Sequence, residues 1–280
     1  MVDRWEVRGQ TLKIGRLPLL MGILNVTPDS FSDAGRFFDR GAAIEQGLRL
    51  AAEGAAAIDV GGESTRPYSA PVDPNEELRR VIPVVTALCE QTSVPVSIDT
   101  SKAVVAREAI AAGARIINDV TGLSADPEMV AVAVDSGAGV CVMHMQGSPR
   151  TMQEKPTYGD VVEEVLAYLR RRRDALIAAG IAPERIALDP GIGFGKTPEH
   201  NLSLLAAAWR LHELGCPVLV GHSRKAFIGV VLDDASADRT AGTIGVALAL
   251  ARQGVEILRV HDVAPVRQAL LLYEAAGGLV

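Results

Sequence analysis

Short apolar runs in this chain end repeatedly on side chains that accept or donate hydrogen bonds: Asn25, Asp59, Asp99, Asn118, His144, Asp189, Ser223, Lys225, Arg259 and His261. Any one of them alone reads as a cap or a loop residue. As a set they bring carboxylates, amides and cations to the ends of successive buried segments, where they can grip a polar substrate and neutralise an anionic one.

Several familiar catalytic patterns fail here, and the failures narrow the chemistry. Gly195-Lys196-Thr197 matches the tail of a phosphate-binding P-loop, but Pro190 stands where its first glycine is required. The spacing of Gly191, Gly193 and Gly195 misses the dinucleotide pattern. A flexible loop is the expectation for DPGIGFGKT. GHSRK is no nucleophile elbow, because Lys225 replaces the second glycine of GxSxG. The histidines make no HExxH pair, and His200 and His212 fall in a helical segment as surface or packing residues. Cys89, Cys141 and Cys216 are odd in number and far apart, so neither a disulfide framework nor a CxxC motif is available. What remains is a site without an activated nucleophile or a preformed metal cage. Chemistry on a substrate that brings its own good leaving group suits it.

The elements that must carry these residues follow from the apolar pattern. Eight runs, LLMGILN, AAIDVGG, PVSIDT, RIINDV, GVCVMHM, RIALDPG, PVLVGHS and EILRVHD, read as buried strands. Helix-like segments follow at 41–53, 75–91, 102–112, 127–136, 160–179, 199–214, 240–253 and 264–276, with glycines at 54, 113, 137, 180, 215 and 254 where C-caps would fall. Strict alternation implies parallel pairing, and eight repeats close a (β/α)8 TIM barrel, an α/β fold. Residues before Gly15 are expected to form a short N-terminal hairpin or plug, and residues 1–280 a single domain. In such barrels the strand C-termini carry catalysis, and the last two strands frequently hold phosphate. Ser223, Arg224, Lys225, Arg259 and His261 gather at that edge, so the substrate is expected to be phosphorylated.

A net charge of -6 argues against a general nucleic-acid binder, and the one dense basic run, Arg170 to Arg173, reads as a solvated helix face. The N-terminus lacks a long apolar segment, and no run is long enough to span a bilayer, so a cytoplasmic protein without membrane contact is expected.

The stretches MGILNVTPDSFSDAGRF, DVGGESTRP, SIDT, INDVTG, MHMQGSPRTMQ, LDPGIGFGKT, GHSRK and RVHDV, in that order over roughly positions 20–265, closely resemble the motifs of the bacterial dihydropteroate synthase family. The resemblance implies a TIM-barrel transferase of folate biosynthesis, a target of sulfonamides. Such an enzyme condenses 6-hydroxymethyl-7,8-dihydropterin diphosphate with 4-aminobenzoate to give 7,8-dihydropteroate and diphosphate. By the same resemblance Asp99, Asn118, Met143, Asp189, Phe194, Gly221, Lys225 and Arg259 would bind the pterin, with Asp99, Lys225 and Arg259 catalytic. Asn25, Arg259 and His261 would hold the diphosphate. Phe31, Thr65, Arg66, Pro67 and Ser223 would take the aminobenzoate, Ser223 at a helix start. Asn25 would be the one direct ligand of a Mg2+ cofactor, and a homodimer is implied. The bond to the diphosphate would break early, leaving a cationic methylene for the arylamine to capture.

One departure stands out: Tyr68 follows GGESTRP where the family commonly has glycine, which would restrict a hinge beside the aminobenzoate loop. Two rivals compete. A methyltetrahydrofolate-binding methyltransferase shares the pterin-recognising barrel but has no use for SRK with GGESTRP. A non-catalytic pterin-binding paralogue has no need for Asn25, Asp99, Asp189, Lys225 and Arg259 together.

Overall fold

The computed structural model describes residues 2–27, 39–66 and 68–279. An antiparallel hairpin, β1 (Arg4–Val7) and β2 (Gln10–Lys13), comes first. Eight parallel strands follow: β3 (Leu19–Asn25), β4 (Ala57–Gly61), β5 (Val96–Asp99), β6 (Ile116–Asp119), β7 (Gly139–Met143), β8 (Ile186–Asp189), β9 (Leu219–Val220) and β10 (Ile257–Val260). Their order is β8-β7-β6-β5-β4-β3-β10-β9, and a parallel bridge between Leu188 and Val218 joins the two edges into a barrel. β9 is only two residues long, shorter than the run PVLVGHS suggests, and Pro217 at its start has no N–H to lend a ladder.

Because strand side chains alternate, each strand feeds two cores. Leu20, Leu24, Ile58, Val60, Ile98, Val140, Leu188 and Leu258 point outward and pack under the helices. Met21, Ala57, Ile116, Cys141, Ala187, Leu219 and Ile257 point inward and form the floor, which Trp5, Val7 and Leu12 of the hairpin seal from below. The expected plug is therefore present, and Trp5 fixes its seat by donating from Nε1 to the Arg185 carbonyl at 3.1 Å.

The outer helices are α1 (Arg40–Ala52), α2 (Pro74–Gln91), α3 (Ala103–Ala111), α4 (Met129–Ser136), α5 (Val161–Ala178), α6 (Pro198–Ala206), α7 (Ala226–Val231), α8 (Thr240–Arg252) and α9 (Val263–Ala275). Side-chain caps set several starts: Asp39, Asp73 and Asp160 accept from N–H groups of the first turns, and Thr197 with His200 forms a capping box. The helix expected over 199–214 divides into α6 and a 3-10 segment, Ala208–Leu214, and the helix start expected at Ser223 is displaced to the six-residue α7. At α3 the N-cap is Lys102, without a side-chain cap bond; Asp126 Oδ2 reaches in from another loop to accept from Ala103 N at 2.8 Å. The arginine run of α5 is also only half solvated. Arg170 and Arg171 are exposed, whereas Arg172 donates to the carbonyls of Gly122 and Leu123 and Arg173 to that of Leu214. Among the described residues no helix is long and apolar enough to cross a membrane.

Candidate active site

Two residues above the apolar floor, the same inward-facing positions turn polar. Asp59, Asp99, Asn118, Asp189 and Arg259 rise from β4, β5, β6, β8 and β10 into the C-terminal mouth of the barrel. Arg259 is the hub, donating from Nε to Asp59 Oδ2 at 2.6 Å and from Nη2 to Asp99 Oδ2 at 2.7 Å. Asn118 Nδ2 donates to the same Asp59 oxygen at 2.8 Å, which fixes its amide and leaves Oδ1 as an acceptor. Asp59 closed a run in the sequence but carried no assigned role. Here it is buried and holds both the guanidinium and the amide in place.

Asp189 anchors the next segment by accepting from Gly191 N at 2.7 Å through Oδ1. DPGIGFGKT is no flexible loop but a tight turn pressed against the end of β7. A Cβ on Gly191 would fall 1.9 Å from the His144 carbonyl oxygen, and one on Gly195 would fall 2.4 Å from that of Gln146. The turn presents Phe194, with Lys225 Nζ held 4.1 Å from its ring centroid. Met143 and Phe194 share a small apolar cluster with Val120 and Met152. Gly221 borders Asp189 and Arg259, where a Cβ would come within 3.9 Å of either. Lys196 was set aside in the sequence as the tail of a failed motif. It is buried, and its Nζ reaches His144 Nδ1 at 3.0 Å and the Phe194 carbonyl at 2.9 Å, bracing the turn from behind. His144 accordingly faces Lys196 and the edge of Tyr168 rather than the shared mouth.

Burial dominates the electrostatics. It raises the Asp99 carboxyl despite the Arg259 charge, and it pushes Asp189 up to about 6 against Gly191 N, Lys225 and Arg259. Burial followed by repulsion from Arg259 brings the Lys225 ammonium down to about 8. His261 is lowered to about 3 by burial and by Arg259, Arg224, Lys225 and Arg66, so it is neutral near pH 7.

The cationic edge expected after the last two strands is assembled as expected. His261 Nδ1 lies 3.0 Å from Ser223 Oγ, which also accepts from His261 N at 3.2 Å. Arg224 forms a two-pronged ion pair with Asp262. A cavity of about 280 Å³ lined by Ile23, Gln46, Arg49, Arg224 and His261 adjoins this edge. Ser223 is not at a helix start: it lies in the turn two residues before Lys225, which is the N-cap of α7. Asn25 ends β3 beside Gly61, and its side chain is without a hydrogen-bond partner among the described residues. Thr65 is half-buried and Arg66 exposed, in a turn that Ser69 Oγ ties to the Ser64 and Arg66 carbonyls. Tyr68 takes a left-handed φ of +66° and is 68% exposed, so this hinge position carries backbone strain that a glycine would not. Phe31 and Pro67 lie outside the described residues.

Comparison with known proteins agrees with this geometry. The profile of the pterin binding enzyme family matches residues 21–261. The dihydropteroate synthase of Escherichia coli K12 is 48% identical over 258 residues, covering 92% of this chain and 91% of its own. This chain is a member of the dihydropteroate synthase family. Two solved structures of the Xanthomonas albilineans dihydropteroate synthase superpose on it. One contains 4-aminobenzoic acid, with TM-score 0.91 and 45% identity over 99% of both chains. The other contains 7,8-dihydropteroate, with TM-score 0.87 and 44% identity over 98% of both. Membership fits a mouth that has binding groups for a flat polar ring and for an anion.

Proposed function

We propose that this barrel joins 6-hydroxymethyl-7,8-dihydropterin diphosphate to 4-aminobenzoate, forming 7,8-dihydropteroate and releasing diphosphate. The observation that carries the assignment of residues is a pair of opposite charges at neighbouring strand tips: a buried acceptor, Asp189, and a cation, Lys225, poised on Phe194. A pterin edge offers ring N–H and amino donors to Asp99, Asn118 Oδ1 and Asp189, and its carbonyl and ring nitrogen face Lys225. Met143, Phe194 and Gly221 form the walls. Hydrogen bonds to ionised groups contribute about 1.5–3 kcal/mol each, so Asp189 and Lys225 carry most of the selectivity for the ring.

No protein nucleophile is needed when the leaving group is diphosphate. The task is to stabilise charge as the C–O bond breaks, and Arg259 at the head of β10 meets that charge with His261. Burial, and after it the charges of Arg259, Arg224, Lys225 and Arg66, holds His261 neutral, and an arriving diphosphate opposes the charge part of that and favours the protonated imidazole. Thr65, Arg66 and Ser223 take the aminobenzoate and aim its amine at the methylene carbon.

A Mg2+ ion fits this site through Asn25, whose amide oxygen is uncommitted among the described residues, with substrate phosphate oxygens and water completing a hard oxygen set. Bound there, the ion would neutralise charge on the departing diphosphate. Among the described residues no group of three or more His, Cys, Asp or Glu side chains could hold it instead. The chain is taken to act as a cytoplasmic homodimer.

The test is diphosphate release by purified protein supplied with both substrates and Mg2+, alongside Lys225→Ala and Asp189→Asn. Release coupled to dihydropteroate formation, lowered about 10-fold or more in kcat/KM for the pterin in both variants, is expected. Tight pterin binding without turnover would overturn the reading in favour of a silent paralogue, and methyl transfer with a corrinoid partner in favour of a methyltransferase.

A further inference from the structure

Beyond the ends of β4 and β5 the chain continues in two neighbouring segments, and an ion pair ties them. Gly61 is in register with Asp99, the last residue of β5. Two residues after Gly61, Glu63 meets the Nζ of Lys102, which lies three residues after Asp99. The same Nζ donates to Glu77 Oε2 of α2 at 2.5 Å. Glu77 is fully buried, while the Lys102 and Glu63 side chains are 20% and 24% exposed. Nearby, Arg80 Nη1 of α2 holds the Gly62 carbonyl at 3.0 Å.

One ammonium shared by two carboxylates is a poor way to gain stability. Desolvation of three charges offsets most of the attraction, and an apolar trio of similar volume would hold the segments together at least as well. Glu77 Oε1 has no hydrogen-bond partner among the described residues, which adds to the cost. What the arrangement does supply is specificity of partner, because a charged contact ties one atom of each segment to the other whereas apolar packing tolerates sliding. On one side of the contact, three residues back, is Asp99 at the pterin position. On the other, two and three residues on, are Thr65 and Arg66. The turn beyond is held at both ends, by Ser69 Oγ and by Tyr68 N donating to the Pro149 carbonyl at 3.2 Å, so a shift at Glu63 is passed on to Arg66.

We infer that Lys102 and Glu63 are positioning residues for the aminobenzoate half of the reaction: their contact sets the height of the Thr65–Arg66 turn over the tip of β5. Neither touches substrate. The inference rests on the reading above that places aminobenzoate at Thr65 and Arg66.

Glu63→Ala cuts the tie to the turn and leaves the Lys102–Glu77 pair intact. It is expected to raise the aminobenzoate KM about tenfold, since a displacement of ~1 Å is enough to spoil approach geometry. The pterin KM should stay within about twofold and the melting temperature within about 4 °C, the scale of a surface change. Glu63→Gln, which keeps the acceptor, and Lys102→Arg, which keeps the charge, should each fall between Glu63→Ala and the parent. A parallel rise in both KM values together with a lowered melting temperature would show a merely structural pair and overturn the inference. Arg66→Ala separates the two levels. If it leaves the aminobenzoate KM unchanged, the subsite reading itself fails; if it raises that KM and Glu63→Ala does not, only the positioning inference is lost.

Discussion

The floor and the mouth of this barrel are made by the same strands two residues apart, yet they are held together in opposite ways. Ala57 gives way to Asp59, Ile116 to Asn118, Ala187 to Asp189 and Ile257 to Arg259. Below, Met21, Leu219 and Ile257 need only shape and dryness to contribute stability. Above, each carboxylate has lost water and depends on a particular partner, so Arg259 between Asp59 and Asp99 is both a structural and a functional group. The floor stores stability without chemistry, and the mouth holds buried charges that are stable only while their partners stay in place.

The largest expected effect strikes the mouth. Arg259→Met leaves Asp59 and Asp99 buried without their counter-ion, a loss of about 3–5 kcal/mol in urea unfolding, together with loss of diphosphate release. Unaltered stability would mean that the two carboxylates are not held by Arg259 and would erase the contrast with the floor. Trp5→Ala strikes the floor instead. It should cost about 3 kcal/mol or more, from lost burial and a cavity, while kcat/KM per folded molecule stays within about twofold. A fall in catalysis with Trp5→Ala would show that the plug shapes the mouth as well.

A smaller effect sharpens the comparison through pH. Burial raises Asp189 to about 6, so the ionised acceptor, and with it kcat/KM for the pterin, is lost as pH falls below that value. Lys225 is lowered to about 8, so its positive charge is lost as pH rises above that value. A bell with limbs near these values is expected in the parent and unchanged in shape in Trp5→Ala. Asp189→Asn should flatten the acid limb; an acid limb that survives that change belongs to another group.

Much of this could be read in the sequence, for identifiable reasons. Parallel strands are buried on both sides and show as short apolar runs, and SIDT and SRK drew attention to Asp99, Ser223 and Lys225 before any contact was known. Less legible were groups whose meaning depends on distant partners. Asp59 looked like one more strand terminator until Arg259 and Asn118 were seen to share one of its oxygens. His144 belonged to the same set but turns to Lys196, because the glycines at 191 and 195 let that turn close against it. The short α7 gave no signal of its own, since six residues hold less than two helical turns of periodicity.

By itself the sequence determined the alternation of strand and helix, the inward polar positions at the strand tips and the family to which those motifs belong, because local pattern and side-chain period are properties of neighbouring residues. Only the tertiary structure decided which charges meet. Lys102 lies 39 residues from Glu63 and Arg259 lies 200 from Asp59, and a pairing across such separations exists only once the barrel has closed and excluded water from both partners.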